Sequence, residues 1–319
     1  MAQLVQRLHL QAFAQHTQGA MLFERSSQQA VERYPAGFHQ EPRSMRLAGG
    51  MLALLEALSR QLPADCIRLN AEVNEIRLSP GGSLVLGLRG AGTPSDGASP
   101  TGNAPQTIEA DHVILALPPR LAQERITFVP DLVAATRQAW QTTPTWMAGH
   151  AKALAVYPQP FWRQAGLSGM VSSQVGPLVE IHDASAYAGL PALFGFVGIP
   201  AHVRATMPVG TLRAAVEAQL ERLFGAQAAQ PVDLWLQDWA NETHTATGGD
   251  WVPPGSHPTY GFALPHRCLW EGRLLLAGTE AAPVNGGYLE GALEAAEQAV
   301  DRIPDAAPFE IRSASENPE

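Results

Sequence analysis

Residues 273–303 constrain the fold more than any other stretch of the chain. Arg273-Leu274-Leu275-Leu276-Ala277-Gly278-Thr279-Glu280 reads as a buried strand and its turn. Gly286-Gly287-Tyr288 then opens a helix over 289–303, with Leu289, Ala292, Leu293, Ala296, Val300 and Ile303 at helical spacing on its buried face. A buried strand feeding a helix in this way belongs to an α/β sheet. The helix end presents free backbone N–H groups and the positive end of its dipole to whatever lies above it, which suits an anion or an electron-rich ring. An ordinary helix packed on a sheet carries the same pattern.

The remaining chain supplies partners for that unit. Residues 3–35, with Leu4, Leu8, Leu10, Phe13, Met21 and Phe23 scattered among polar residues, read as helical. A turn at 46–50 precedes a helix over 51–62, and strands are expected at 67–70, 72–78 and 83–88. Residues 91–105 read as a flexible loop. Asp111 to Leu117 is a buried strand stopped by Pro118 and Pro119. Strands at about 153–157, 168–173, 178–182, 192–198 and 232–239 and a helix over 211–224 fill the middle, and a frayed tail follows residue 305.

Composition narrows the function. Apolar residues make up 45% of the 319 and charged residues 16%, which excludes a disordered chain or a coiled coil. The net charge of −9 argues against a nucleic-acid partner. Cys66 and Cys268 form no disulfide framework, and the ten histidines form no ligand cluster, so no metal site is expected. No apolar run is long enough to cross a membrane, and the first residues lack a signal-peptide core, so a soluble cytoplasmic protein is expected. Against 20 arginines stands one lysine, Lys152. Where a chain otherwise writes Arg, a surviving Lys marks either a chance surface position or a place that needs a compact ammonium able to lose its proton.

Several stretches, taken in order, resemble the flavin-containing amine oxidases, the monoamine and polyamine oxidase family. Ala277-Gly278-Thr279-Glu280 followed by Gly287-Tyr288-Leu289-Glu290-Gly291-Ala292 resembles the family's C-terminal flavin signature. Arg46-Leu47-Ala48-Gly49-Gly50-Met51 is similar to its Arg…Gly-Gly turn before a helix. Leu69 to Ile76 resembles the strand whose valine, here Val73, meets the adenine of FAD through its backbone, and Asp111 to Pro119 resembles the strand ending in Pro-Pro. Lys152, ten residues before Trp162 in Pro160-Phe161-Trp162, matches the family's active-site lysine. The resemblance spans roughly residues 40–305.

The resemblance implies an FAD-dependent oxidoreductase that moves a hydride from the carbon beside an amine nitrogen to the flavin, with oxygen as acceptor. Lys152 would hold a water against flavin N5. Trp251, in Gly248-Gly249-Asp250-Trp251, and Tyr288 would flank the small amine substrate, and Trp239 would pack near the isoalloxazine. Val73, Gly278, Thr279, Glu280, Tyr288 and Leu289 would contact the cofactor. Monoamine oxidases carry a flavin-linking cysteine where this chain has Asp250, so the flavin is expected to be held non-covalently. A desaturase or porphyrinogen oxidase-like activity is disfavoured by Lys152.

The implied fold is α/β. A partial FAD-binding domain of Rossmann-like, glutathione-reductase type occupies 41–120 and 246–305. It is interleaved with a mixed-sheet substrate domain over 121–245, with substrate-domain helices at 1–40 and a tail at 306–319. No Gly-x-Gly-x-x-Gly loop occurs in the sequence, and that loop with its helix is what holds a dinucleotide's pyrophosphate. The first part of the family pattern is therefore expected to be lacking and FAD binding incomplete, with a complementing N-terminal FAD-binding chain as a possible partner. A non-catalytic remnant serving as a binding module is the alternative.

Overall fold

The structure, a computed structural model, describes residues 1–35, 43–63, 65–89, 106–252 and 254–304. The loop expected at 91–105 and the tail at 306–319 lie outside the described residues. The chain is a mixed α/β protein whose larger sheet has seven strands. In spatial order these are Asp233–Asp238, Ala151–Val156, Ala192–Val197, Leu178–Asp183, Leu167–Ser173, Ala20–Glu24 and Glu32–Tyr34. All neighbours are antiparallel except Ala20–Glu24, which runs parallel to Leu167–Ser173. The helix Thr211–Phe224 covers one face, where Val216, Leu220 and Leu223 join a core with Ala151, Ala153, Ala155 and Leu193. Side chains alternate along a strand, so Lys152, Leu154, Phe194 and Phe196 project from the opposite face.

A smaller three-stranded sheet sets Val113–Leu115 parallel to Leu274–Leu276, with Cys268–Leu269 antiparallel beyond it. Beside it lies a four-stranded sheet in the order Gln106–Ala110, Leu84–Arg89, Glu72–Leu78, Thr127–Val129. Ile76, Leu84, Val113, Phe128, Trp140 and Leu274 belong to one buried cluster, so residues 72–89, 110–142 and the C-terminal unit share a core. The first part therefore continues past residue 120, because Thr127–Val129 pairs in parallel with Glu72–Leu78. On the other face of Leu274–Leu276, Leu275 and Ala277 pack on Ala299 of the final helix, Leu289–Val300.

Three local expectations are corrected. The helical reading of 3–35 holds only for Ala2–Arg7; residues 12–34 contain the strands Ala12–Ala14, Ala20–Glu24 and Glu32–Tyr34. In the second of these Ala20, Leu22 and Glu24 are buried while Met21 and Phe23 are half-buried, a period of two. Residues 67–70 form no strand, and Leu69 is exposed. The final helix ends at Val300, and the residues it buries are Gly291, Ala295 and Ala299, with Leu289 exposed. Small residues on that stripe bring the helix close to its strand. Among the described residues no helix is long and apolar enough to cross a membrane. No group of His, Cys, Asp and Glu among them is placed to hold a metal ion.

Candidate active site

A cavity of about 380 Å³ opens at the end of Leu274–Leu276, lined by Gly278, Thr279, Glu280, Gly287, Thr145 and Trp146 among others. Its shape depends on glycine. A Cβ at Gly278 would fall 2.9 Å from both the Leu117 carbonyl oxygen and Glu280 Oε2. Thr279 ties the turn to the helix start: its hydroxyl accepts from the Gly287 N–H (2.9 Å) and donates to the Tyr288 carbonyl (2.8 Å). Gly291 lets the helix reach that hydroxyl, since a Cβ there would lie 2.8 Å from Thr279 Oγ1 and 2.1 Å from the Asn285 oxygen. Among the described residues no side chain caps the helix, so the positive end of its dipole is open to the cavity. Glu280 is buried, and burial pushes its carboxyl up, with the nearby Asp250 charge acting in the same direction. Thr145 Oγ1 is buried without a hydrogen-bond partner among the described residues.

Segment 144–152 joins this cavity to the larger sheet. The Tyr260 hydroxyl donates to the Pro144 carbonyl (2.8 Å), and the Thr145 N–H donates to Asp250 Oδ1 (3.1 Å). Gly149 is pressed against the backbone beside Trp251; a Cβ on it would fall 2.4 Å from the Asp250 carbonyl oxygen. The buried Arg204 donates to the Gly149 carbonyl (2.9 Å) and to Asp238, and the His150 carbonyl accepts from the Trp239 N–H (3.0 Å). Lys152 follows two residues later, half-buried, with Nζ over the Phe196 ring. Burial pushes its ammonium down, and burial followed by the charges of Arg204 and Lys152 pushes the His150 imidazole down.

Aromatic rings complete the connection. Tyr288 stacks on His257 with centroids 5.0 Å apart and planes 6° apart. His257 meets Trp146 at 4.7 Å, and Trp146 meets His150 at 6.3 Å. A chain of ring contacts thus runs from Tyr288 to the residue two places before Lys152. Trp251 reaches the same segment through its backbone beside Gly149.

Other expected residues are distributed as follows. Trp239 is bonded to His150 through its backbone and is partly exposed, and Leu289 is exposed at the helix start. Val73 lies elsewhere, in an apolar cavity of about 400 Å³ with Ile76, Ile114 and Leu115; Leu117 lines both cavities. Asp250 is not a bare replacement for a linking residue. It is buried and accepts from Arg120, the Thr145 N–H, the Thr247 N–H and the Thr247 hydroxyl. Trp162, ten residues past Lys152, is fully buried, and its indole donates to Asp183 Oδ2 (2.9 Å), so it anchors the fold.

Trp146, His150 and His257 were not expected from the sequence. Only His150 carries a usable signal, because it stands two residues before the lone lysine, just ahead of the strand Ala151–Val156.

The family described as flavin containing amine oxidoreductase matches residues 2–304. AofH of Mycobacterium tuberculosis, named for a flavin-containing monoamine oxidase, is 33% identical over 264 residues, covering 81% of this chain and 52% of AofH. Amine oxidase (flavin-containing) A of Equus caballus is 31% identical over 206 residues, covering 62% of this chain and 38% of the horse protein. The chain therefore spans about half the length, or less, of these curated relatives. Among solved structures, wild-type putrescine oxidase bound to putrescine superposes with a TM-score of 0.71 at 18% identity, over 94% of this chain and 84% of that one. Cyclohexylamine oxidase from Brevibacterium oxydans IH-35A gives 0.69 at 17%, over 93% and 83%. These two likenesses are of fold.

Proposed function

We propose, for a chain that belongs to the flavin-containing amine oxidoreductase family, that it oxidises a small amine at the carbon beside nitrogen, using non-covalently held FAD and oxygen. The observation that carries this reading is the run of ring contacts from Trp146, which lines the Gly278–Glu280 cavity, to His150, two residues before Lys152 and within reach of its charge.

The residues present fit the ring end of a flavin. The Gly278 turn is a cradle that a Cβ would fill, and among the described residues the buried Thr145 hydroxyl has no partner and no side chain caps the helix start that faces the same space. Gly278, Thr279, Glu280 and the Leu289 helix would hold the ring there, and Val73 would meet the adenine end across Leu117. When bound, the flavin would supply the hydride acceptor for the amine, with oxygen as the final acceptor of two electrons and two protons.

The chain's own residues do the rest. Tyr288 and Trp251 orient the amine through their π faces and keep water from one side of it. The lowered Lys152 ammonium can hold a water in the site and release or take up a proton at Nζ. Asp250, saturated by four donors, fixes segment 145–149 and offers no sulfur for a thioether.

The pyrophosphate needs a glycine loop that this sequence does not carry, and a second chain supplying a strand–loop–helix unit would provide it. The hydrogen-bonded neighbour of Val113–Leu115 is Leu274–Leu276 on one side, and Ile114 is part-exposed next to the covered Leu275, which supports docking there. The test is peroxide release from benzylamine by the chain mixed with FAD and such a unit. Flavin-dependent peroxide that disappears in Lys152→Met supports the reading; tight flavin binding with no turnover of any amine would overturn it.

A further inference from the structure

We propose that His257 is the positioning residue for Tyr288, holding the phenol ring in the one orientation in which its free face meets the amine. The inference deepens the functional reading and rests on it for the identity of what Tyr288 meets. It starts from the exposure of Tyr288: 60% of the residue is open, so packing from its own helix cannot fix the ring. The contact that fixes it is the His257 imidazole, lying flat on one face with planes 6° apart.

The imidazole is itself immobilised. Trp146 backs it at 4.7 Å and Tyr260 meets it edge-on at 5.7 Å. Its Nδ1 lies 2.9 Å from the Pro258 carbonyl oxygen, an acceptor, so Nδ1 carries the proton and donates it. Nε2 is buried and has no hydrogen-bond partner among the described residues. The turn ahead of the final helix is shaped around this group. Gly287, at φ +84°, would with a Cβ meet Nε2 at 2.6 Å, and Gly286 would meet Tyr260 Cβ at 2.3 Å. Two adjacent glycines thus admit two rings against the residue that carries Tyr288. One face of the phenol is covered by this wall, which leaves the other for a cationic or neutral amine. A ring locked before substrate arrives loses no rotamer freedom on binding.

The chain has five tyrosines, so ring-¹³C-tyrosine labelling of the full chain gives a readable spectrum, with Tyr288 identified by its loss in Tyr288→Phe. The Tyr288 ring signal of the wild type is expected to be displaced by the stacked imidazole. His257→Ala should return it to the position of a freely turning tyrosine, and His257→Phe should keep it displaced. In the flavin-loaded protein His257→Ala should raise KM for benzylamine about tenfold with little change in kcat, and His257→Phe should restore it. A Tyr288 signal unmoved by His257→Ala, or alanine and phenylalanine variants that behave alike, would overturn the inference. A loaded protein that oxidises no amine would count against the functional reading alone, since the ring signal decides the positioning role without turnover.

Discussion

Lys152 Nζ stands 4.8 Å from the centroid of the Phe196 ring, its direct neighbour across two antiparallel strands. The chain's one lysine is therefore half-buried on an aromatic surface, and burial pushes its ammonium down. A folded value below the unfolded one means that the charged form costs stability. That cost is present in full below the folded value and fades as pH rises from there to the unfolded one. Lys152→Met should accordingly leave the thermal midpoint at pH 7 unchanged or higher. Amine oxidation by the loaded protein should fall by about 10²-fold or more. Calorimetry and a peroxide assay on one preparation test both halves.

Asp183 gives the opposite pH dependence. Burial would raise its carboxyl, but hydrogen bonds from Arg163, Ser185 and Trp162 outweigh that and hold it below the ordinary range. Its contribution is present above the unfolded carboxylate value, 3.8, and is lost as pH falls through the folded one. The urea midpoint should drop on acidification below that unfolded value, and Asp183→Ala should flatten this part of the profile. The substitution should cost about 3–5 kcal/mol near neutrality, because Arg163 and the buried Trp162 indole lose their acceptor.

Gly291→Ala should be costly although alanine favours helix. The added methyl would lie 2.1 Å from the Asn285 oxygen, so the turn carrying Gly286 and Gly287 must shift. A loss of about 1–3 kcal/mol is expected in denaturant unfolding. Gly248→Ala, where nothing among the described residues lies within 4 Å of the new methyl, is the control and should change little.

The purified chain should be colourless near the flavin bands. Its residues offer a ring-end cavity but no glycine loop for a pyrophosphate. Absorbance should appear when a strand–loop–helix unit carrying Gly-x-Gly-x-x-Gly is added together with FAD. A yellow protein with about one FAD per chain before that addition would show that the ring end is enough.

What the sequence made legible was what repeats locally. The buried strand before Gly278 and the strands and helix of the middle block follow from apolar periodicity. Lys152 stood out by rarity. The strand Ala20–Glu24 was misread because its inward positions include Glu24, whose carboxylate is satisfied by Arg222 and Ser173 from distant segments. An acidic residue on the buried side breaks the alternation that would have marked the strand. His257 was invisible for a related reason. Its partners Trp146 and Tyr288 are 111 and 31 residues away, and only the folded chain brings the three rings together.

The fit between the Gly286–Gly287 turn and the rings of His257 and Tyr260 ties two stretches of sequence into one unit of change. A side chain gained at 287 meets the imidazole at 257 and the Tyr260 ring from a left-handed backbone, and one gained at 286 presses on Tyr260 and on the Ala282 carbonyl oxygen. Drift at either stretch is thus conditional on the other. Homologues that lack the second glycine should also lack a large residue at 257, and a change at either glycine alone should be destabilising.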